Sequence, residues 1–250
     1  MRRVRSLRRR LFIKALRKRN LALFLNDCKR KGLLSLYCSE FIGLEDAQQD
    51  PFYHPEGSAW IHTLRCVEIA ENQGYGFSIV LASLLHDVGK AVLKGNLTYH
   101  SHEKESAKIT RRFFFRFPLI RGVVRKVISL VVNHMKLHHP LSEKTVRKMV
   151  KGYPYLDDLI LLTEVDLKGS CGISETFLEN KRKILSIKKK LREEEEKPLP
   201  LLNGNEIMKI LGISPGKRVG ELKNLVYQAQ LKGYIGTKEE AIRFLKEITD

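Results

Sequence analysis

Cysteine is scarce here and shows no pairing pattern. The four that occur, Cys28, Cys38, Cys66 and Cys171, include no C-x-x-C pair. Neither a zinc ribbon nor a disulfide framework is indicated, and they read as reduced core thiols of a cytosolic protein. No apolar run approaches the roughly 20 residues of a membrane helix. The patch Leu11 to Ile13 is far too short for a signal-peptide core. A soluble, cytoplasmic chain without membrane association is expected. Period-two alternation bounded by hairpin turns is also missing, which argues against a sheet. Acids are absent before Asp27.

What is present is positive charge and helical periodicity. The formal net charge is +18, and Arg2, Arg3, Arg5, Arg8, Arg9, Arg10, Lys14, Arg17, Lys18 and Arg19 fall in the first twenty residues. Such a tract releases counterions when it meets phosphates, so RNA or DNA is the expected large partner. A merely solvated terminus is the competing reading. With 250 residues, 43% of them apolar, the chain can build one large core or two small ones.

Leu11, Leu16, Leu21, Leu23 and Phe24 are spaced for one or two short helices, and Gly32 opens another that carries Leu33, Leu34, Leu36 and Phe41. Turn chemistry runs from Asp50-Pro51 to Pro55-Glu56-Gly57. Trp60, Leu64 and Val67 then mark one stripe of a helix ending near Gly74, with His62 and Cys66 on the neighbouring face. Phe77 to Leu85 is apolar nearly all round, hence a central helix, and it runs into His86-Asp87-Val88-Gly89-Lys90. Leu97 to His102 is loop-like, and a helix begins at Glu103 and is broken by Pro118. Val123, Val124, Val127, Ile128 and Val131 lead to His134. Ser142 and Thr163 fall near shorter helices, the second of which, Leu159 to Leu162, delivers Glu164 and Asp166. Glu175 to Glu196 is charged on most faces before Lys197-Pro198-Leu199-Pro200 breaks it. Beyond lies a helical module with a Pro215-Gly216 turn, a Gly233 stop and a last helix capped by Thr237, with Glu240 at N3. The expected division is residues 1–50 as basic arm and neck-like helices, 51–196 as the main domain and 197–250 as a tail.

Phosphate-ester hydrolysis by metals calls for imidazole and carboxylate ligands with a position open for water. His62, His86, Asp87 and Asp166 offer that mix. Taken singly, each histidine is more often a satisfied core residue than a ligand. The adjacency of His86 and Asp87 after a buried helix shifts the balance, because an unpaired buried Asp is costly and a cation offsets it.

The order His62, His86-Asp87, Asp166 resembles the HD-domain metal-dependent phosphohydrolases. Within them the chain looks most like the HD part and tail of bacterial tRNA nucleotidyltransferases, the CCA-adding enzymes. The similar segments are HPEGSAWIHTL (His54 to Leu64), LLHDVGK (Leu84 to Lys90), EVDLKG (Glu164 to Gly169), GISPGKRVGELKNLVYQAQLKGYIGTKEEA (Gly212 to Ala241) and the neck-like LFIKALRKRNLALFLNDCKRKGLL (Leu11 to Leu34). The Gly-Ser sequence and paired aspartates of the family's catalytic head do not occur in these residues, so nucleotide addition is not expected of them alone.

The resemblance implies an all-α HD-domain helical bundle with a small C-terminal helical tail. It implies metal ligation by His62, His86, Asp87 and Asp166, with His102 and His134 as candidates for a second ion. Lys90 is similar to the lysine of the HDxGK pattern that HD enzymes aim at the phosphate. One or two divalent transition ions are implied, Mn, Fe, Co, Ni or Zn. His54, Glu56 and Glu103 could line the pocket, or equally serve only as turn caps and surface charge; His138 and His139, in a loop ahead of Pro140, are weaker candidates for the site, with the surface reading favoured. The implied activity is hydrolysis by a metal-activated water, of the 2',3'-cyclic phosphodiesterase or phosphatase type, on RNA ends or nucleotides. Two alternatives stay open: a tRNA-binding neck and tail for a separately encoded head, and a small-nucleotide hydrolase for which the basic arm is irrelevant.

Overall fold

The computed structural model describes residues 2–35, 39–93 and 99–249, with side chains from Arg10 onward except Glu195. Cys38 and the expected loop positions Leu97 and Thr98 lie outside the described residues, as do Leu36 and the side chains of the first nine residues. The described residues contain twelve α-helices and no strand; the sole β-type pairing among them is an isolated bridge between Gln48 and Ser58. None of these helices is long and apolar enough to cross a membrane.

Residue contacts divide the chain into two units, residues 1–187 and 188–250. In the first, α1 (Arg2–Arg17) and α2 (Leu21–Arg30) are joined through Arg19, which adopts a left-handed φ of 53°. The α2 start has no side-chain cap of its own. Its Leu21 amide donates instead to Glu71 Oε1 at 2.8 Å, while Arg19 donates to the Glu71 and Gly74 carbonyls at 3.0 Å. One helix end thus caps the other through tertiary contacts, supplying partners for groups that helix ends leave orphaned. Phe12 carries α1 onto the main core, its ring 5.7 Å from Phe113 and 5.3 Å from Phe117.

α3 (Ala59–Asn72) starts at Ser58, whose side chain accepts from the Ile61 amide, and is followed by Gly74 in the left-handed region at φ 73°. α4 (Phe77–Leu85) is the innermost element: Ile79 to Leu85 are all buried, and α3, α6 and α8 pack around it. An all-round apolar surface requires that placement. A 3-10 turn (Val88–Ala91) then lies against α5 (His102–Arg116), which packs on α6 (Arg121–Asn133). A second 3-10 turn (His134–His138) sits on α8 (Leu156–Gly169), with α7 (Glu143–Gly152) between them in sequence.

Two boundaries differ from the sequence reading. His102 is the first residue of α5, not part of the loop before it, and α8 is far longer than Leu159 to Leu162. Asp157 and Asp158 lie in its first turn, where the helix dipole favours negative charge. Gly32 follows α2 in the left-handed region at φ 66°, and helical backbone resumes at Leu34 and Ser35, beyond which the expected helix passes outside the described residues.

α9 (Glu175–Glu195) leads into the second unit, where α10 (Gly204–Leu211), α11 (Lys217–Leu231) and α12 (Lys238–Glu247) enclose a core of Leu202, Ile207, Val219, Leu222, Val226, Ala229, Ile235, Ala241 and Leu245. The expected Thr237–Glu240 capping box forms, and Asn203 and Glu206 make another at the start of α10.

Candidate metal centre

α3 and α4 bring two imidazoles nose to nose. His62 projects from the first turns of α3, and its Nδ1–H donates to Glu56 Oε1 at 2.8 Å. His86 closes α4, and its Nδ1–H donates to the Ser83 carbonyl at 2.8 Å. A carboxylate and a carbonyl can only accept, so in each neutral ring Nε2 carries a lone pair. Those two Nε2 atoms face each other at 3.2 Å in a fully buried place. Asp166, from the last turns of α8, sets Oδ1 3.0 Å from His62 Nε2 and 3.7 Å from His86 Nε2. Asp87 Oδ2 stands 3.4 Å from His86 Nε2 and 3.8 Å from His62 Nε2.

A second group repeats the arrangement. His102 Nδ1–H donates to the Tyr99 carbonyl at 2.9 Å and His134 Nδ1–H to the Val131 carbonyl at 2.8 Å. Their Nε2 atoms are 3.0 Å apart. Asp87 Oδ1 lies 3.0 Å from His102 Nε2 and 3.7 Å from His134 Nε2, and it is buried with no hydrogen-bond partner among the described residues. Asp87 therefore turns one oxygen toward each pair of imidazoles.

Facing acceptors repel unless something positive lies between them. The protein's own protons answer part of the demand. Burial opposes a charged His86, but Asp87 and Asp166 outweigh it and push its pKa up to about 10. Burial likewise opposes the charge on His62, and the Cys66 sulfur, Asp166 and Glu56 outweigh it in the same direction. The carboxyls respond in kind. Burial works against ionised Asp87, and Lys90 and His86 hold its pKa well below the usual range; His138, His62 and His86 do the same for Asp166. His134 moves the other way, held neutral by burial and by the neighbouring His102 and His86. A divalent cation held by His62, His86, Asp166 and Asp87 would replace those protons and satisfy the lone pairs at once. The donor set is buried imidazole and carboxylate, with the Nδ1 atoms of His62, His86, His102 and His134 already engaged. It fits such an ion.

The candidates of the sequence reading fare unequally. His62, His86, Asp87 and Asp166 converge, and His102 and His134 join them through Asp87. Lys90 is 7% exposed and is not directed at open space: Nζ donates to Asp87 Oδ2 at 2.7 Å and to Gln49 Oε1 at 2.5 Å. Glu56 proves to be more than a turn cap. Burial opposes its charge, but hydrogen bonds from His62 and His54 hold its pKa down at about 2. Glu103 is half-buried and His139 exposed.

His138 contradicts the surface reading. Nε2 lies 3.0 Å from Asp166 Oδ2 because Asn180, from α9, grips the Leu137 and His139 carbonyls at 3.2 and 2.9 Å and folds the turn inward. Gln49 and Asn180 give no signal in the sequence, since each acts across a long chain separation. Cys28 and Cys66 are buried as expected of core thiols, whereas Cys171 is exposed. Cys66, one helical turn beyond His62, places Sγ 3.4 Å from its Nε2. Gly89 welds the segment to α5: its amide donates to Ser106 Oγ at 2.8 Å, and a Cβ there would come within 2.4 Å of the His102 carbonyl oxygen.

Residues 59–167 match the family model described as HD domain. The chain is 30% identical over 229 residues to the A-adding tRNA nucleotidyltransferase of Deinococcus radiodurans, covering 86% of this chain and 52% of that one. It is 31% identical over 237 residues to the CC-adding tRNA nucleotidyltransferase of Thermus thermophilus, covering 87% and 50%. A multifunctional CCA protein of Acinetobacter baumannii is 28% identical over 161 residues, 60% of this chain and 38% of that one. The chain thus spans about half the length of the first two relatives.

Proposed function

From the premise of an HD domain over residues 59–167, we propose that the protein is a metal-dependent phosphohydrolase acting on RNA ends or nucleotides, in the manner of a 2',3'-cyclic phosphodiesterase or phosphatase. The observation that carries this reading is the 3.2 Å approach of the His62 and His86 Nε2 lone pairs beside Asp166 and Asp87. A divalent cation bound there supplies Lewis acidity and a water whose pKa is brought near neutrality.

The chain's own residues do the rest. Glu56, the Ser83 carbonyl, the Tyr99 carbonyl and the Val131 carbonyl fix four imidazoles in the tautomer that presents Nε2. Lys90 neutralises Asp87 and stands ready, once a phosphoryl oxygen takes the place of the neutral Gln49 acceptor, to stabilise charge growing on the phosphate. A strained cyclic phosphate suits such a site because its ring opens under attack by a weakly basic oxygen. The net charge of +18, with Arg10, Lys14 and Arg17 exposed along α1 and Lys18 exposed just after it, favours a polyanionic RNA end over a free nucleotide.

The test is hydrolysis by metal-stripped protein resupplied with Mn, Co, Ni, Fe, Zn or Mg, using a 2',3'-cyclic nucleotide and a cyclic-ended RNA beside Asp87→Ala. Metal-dependent turnover that the variant loses supports the proposal; a folded protein inert with every metal sinks it. The similarity to tRNA nucleotidyltransferases extends well beyond residues 59–167, to 86% of the chain. That favours one second reading, a tRNA-binding partner of a separate catalytic head. Tight tRNA binding that survives Asp87→Ala, without hydrolysis, selects it.

A further inference from the structure

The first group of donors contains an atom of a different kind. Cys66 Sγ, His62 Nε2, His86 Nε2 and Asp166 Oδ1 all lie within 4.8 Å of one another, and all four residues are buried. Cys66 follows His62 by four residues on α3, so both side chains leave the same face of the helix. The backbone of α8 seats the sulfur: a Cβ on Gly169 would fall 2.6 Å from Cys66 Sγ and 3.4 Å from His62 Cε1. The glycine leaves room that the thiol and the imidazole fill together.

Four of the six separations within the group are near those of a tetrahedral site, and the other two, from Cys66 to His86 and to Asp166, lie within 4.8 Å. Bond lengths of about 2.0–2.2 Å to N or O and about 2.3 Å to S set tetrahedral edges of about 3.3 Å between N or O donors and about 3.6 Å between N and S. The corresponding separations are 3.2 Å for His62 with His86, 3.0 and 3.7 Å for Asp166 with the two imidazoles, and 3.4 Å for Cys66 with His62. Asp87 borders the same group, with Oδ2 3.4 Å from His86 Nε2 and 3.8 Å from His62 Nε2. Its Oδ2 is bonded by Lys90 at 2.7 Å, and its Oδ1 faces His102 at 3.0 Å.

We propose that Cys66 is a metal ligand, adding one sulfur to the two imidazoles, Asp166 and Asp87 around the first ion. This rests on the metal-centre reading above and adds a preference to it. A thiolate donor draws the site toward zinc, cobalt, iron or nickel and away from magnesium. It also gives the sulfur a role that packing alone does not.

The test loads the metal-stripped full chain with cobalt(II). A near-ultraviolet thiolate-to-cobalt absorption band is expected, lost in Cys66→Ser, with cobalt and zinc affinity falling at least about tenfold and magnesium affinity little changed. Because Cys66→Ser also places a hydroxyl in the core, Cys28→Ser/Cys38→Ser/Cys171→Ser, in which Cys66 is the one thiol left, serves as the second variant and must keep the band. Cobalt bound, as its visible bands report, with no thiolate band in the natural chain or a band lost in that triple variant, overturns the role of Cys66 and leaves the hydrolase proposal standing. Failure to bind cobalt at all overturns both.

Discussion

His62 and His86 meet Nε2 to Nε2 at 3.2 Å, each held in that orientation by an oxygen on its far side. Neither ring can turn its lone pair away without abandoning a buried hydrogen bond, a loss of about 1–3 kcal/mol for the partner left unsatisfied. The fold therefore maintains a repulsive contact that only a cation, proton or metal, relieves. The same logic holds for His102 and His134 at 3.0 Å.

Glu56 is the first place to test this. Its Oε1 receives both His62 Nδ1 at 2.8 Å and His54 Nδ1 at 2.9 Å. In Glu56→Ala the His62 proton is free to migrate to Nε2. Metal affinity should fall roughly 10–100-fold with the helical content retained. Titration calorimetry with zinc or manganese reads the change, and an unaltered affinity would show that the tautomer is set elsewhere.

Gly89 offers a test through backbone geometry. A methyl group there meets the His102 carbonyl oxygen at 2.4 Å and the Ser106 amide nitrogen at 2.6 Å, both main-chain atoms that cannot rotate aside. Gly89→Ala must push the Val88–Ala91 turn off α5, separating Asp87 from His102. A loss of about 1–3 kcal/mol in stability is expected, together with weakened metal uptake at the second group. Denaturant unfolding and metal content measured on the same preparation check both parts.

The pH dependence has a definite sign. His86 in the metal-free protein is raised from 6.5 to about 10 by Asp87 and Asp166 acting against burial. A raised histidine stabilises the fold fully below its unfolded pKa, and that contribution is lost as pH rises through the folded value. The metal-stripped protein should therefore lose stability from about pH 6.5 toward pH 10. The lowered Asp87 and Asp166 add no slope there, since their contribution is complete above 3.8. An ion that replaces the protons removes the loss. The gap in melting temperature between loaded and stripped protein should widen between about pH 6 and about pH 9; a gap that narrows would mean the protons and the metal do not share these atoms.

Much of this is legible in the amino-acid sequence. The apolar run Phe77 to Leu85 marks the central helix to the residue, and the His86-Asp87 pair at its end signals a buried charge in need of a partner. What local pattern misses are contacts made across distance. His138 reads as a surface residue because a His-His-Pro stretch reads as loop, and nothing nearby in the chain reveals that Asn180 folds it inward. Cys66 reads as packing because its significance depends on a glycine of another helix. α8 outruns the apolar stretch Leu159 to Leu162, because its first turn takes in Asp157 and Asp158 and its last turns continue through Asp166. Local pattern specifies helices; it does not say which polar atoms on different helices will face one another.

The most direct measurement is the metal content of the chelator-stripped chain after equilibration with limiting zinc or manganese, compared with His62→Ala/His86→Ala and with the control Lys136→Ala. Bound ion is expected in the natural chain and the control, with the first group's ion missing from the double variant. Equal metal in all three, or none in any, would contradict this expectation.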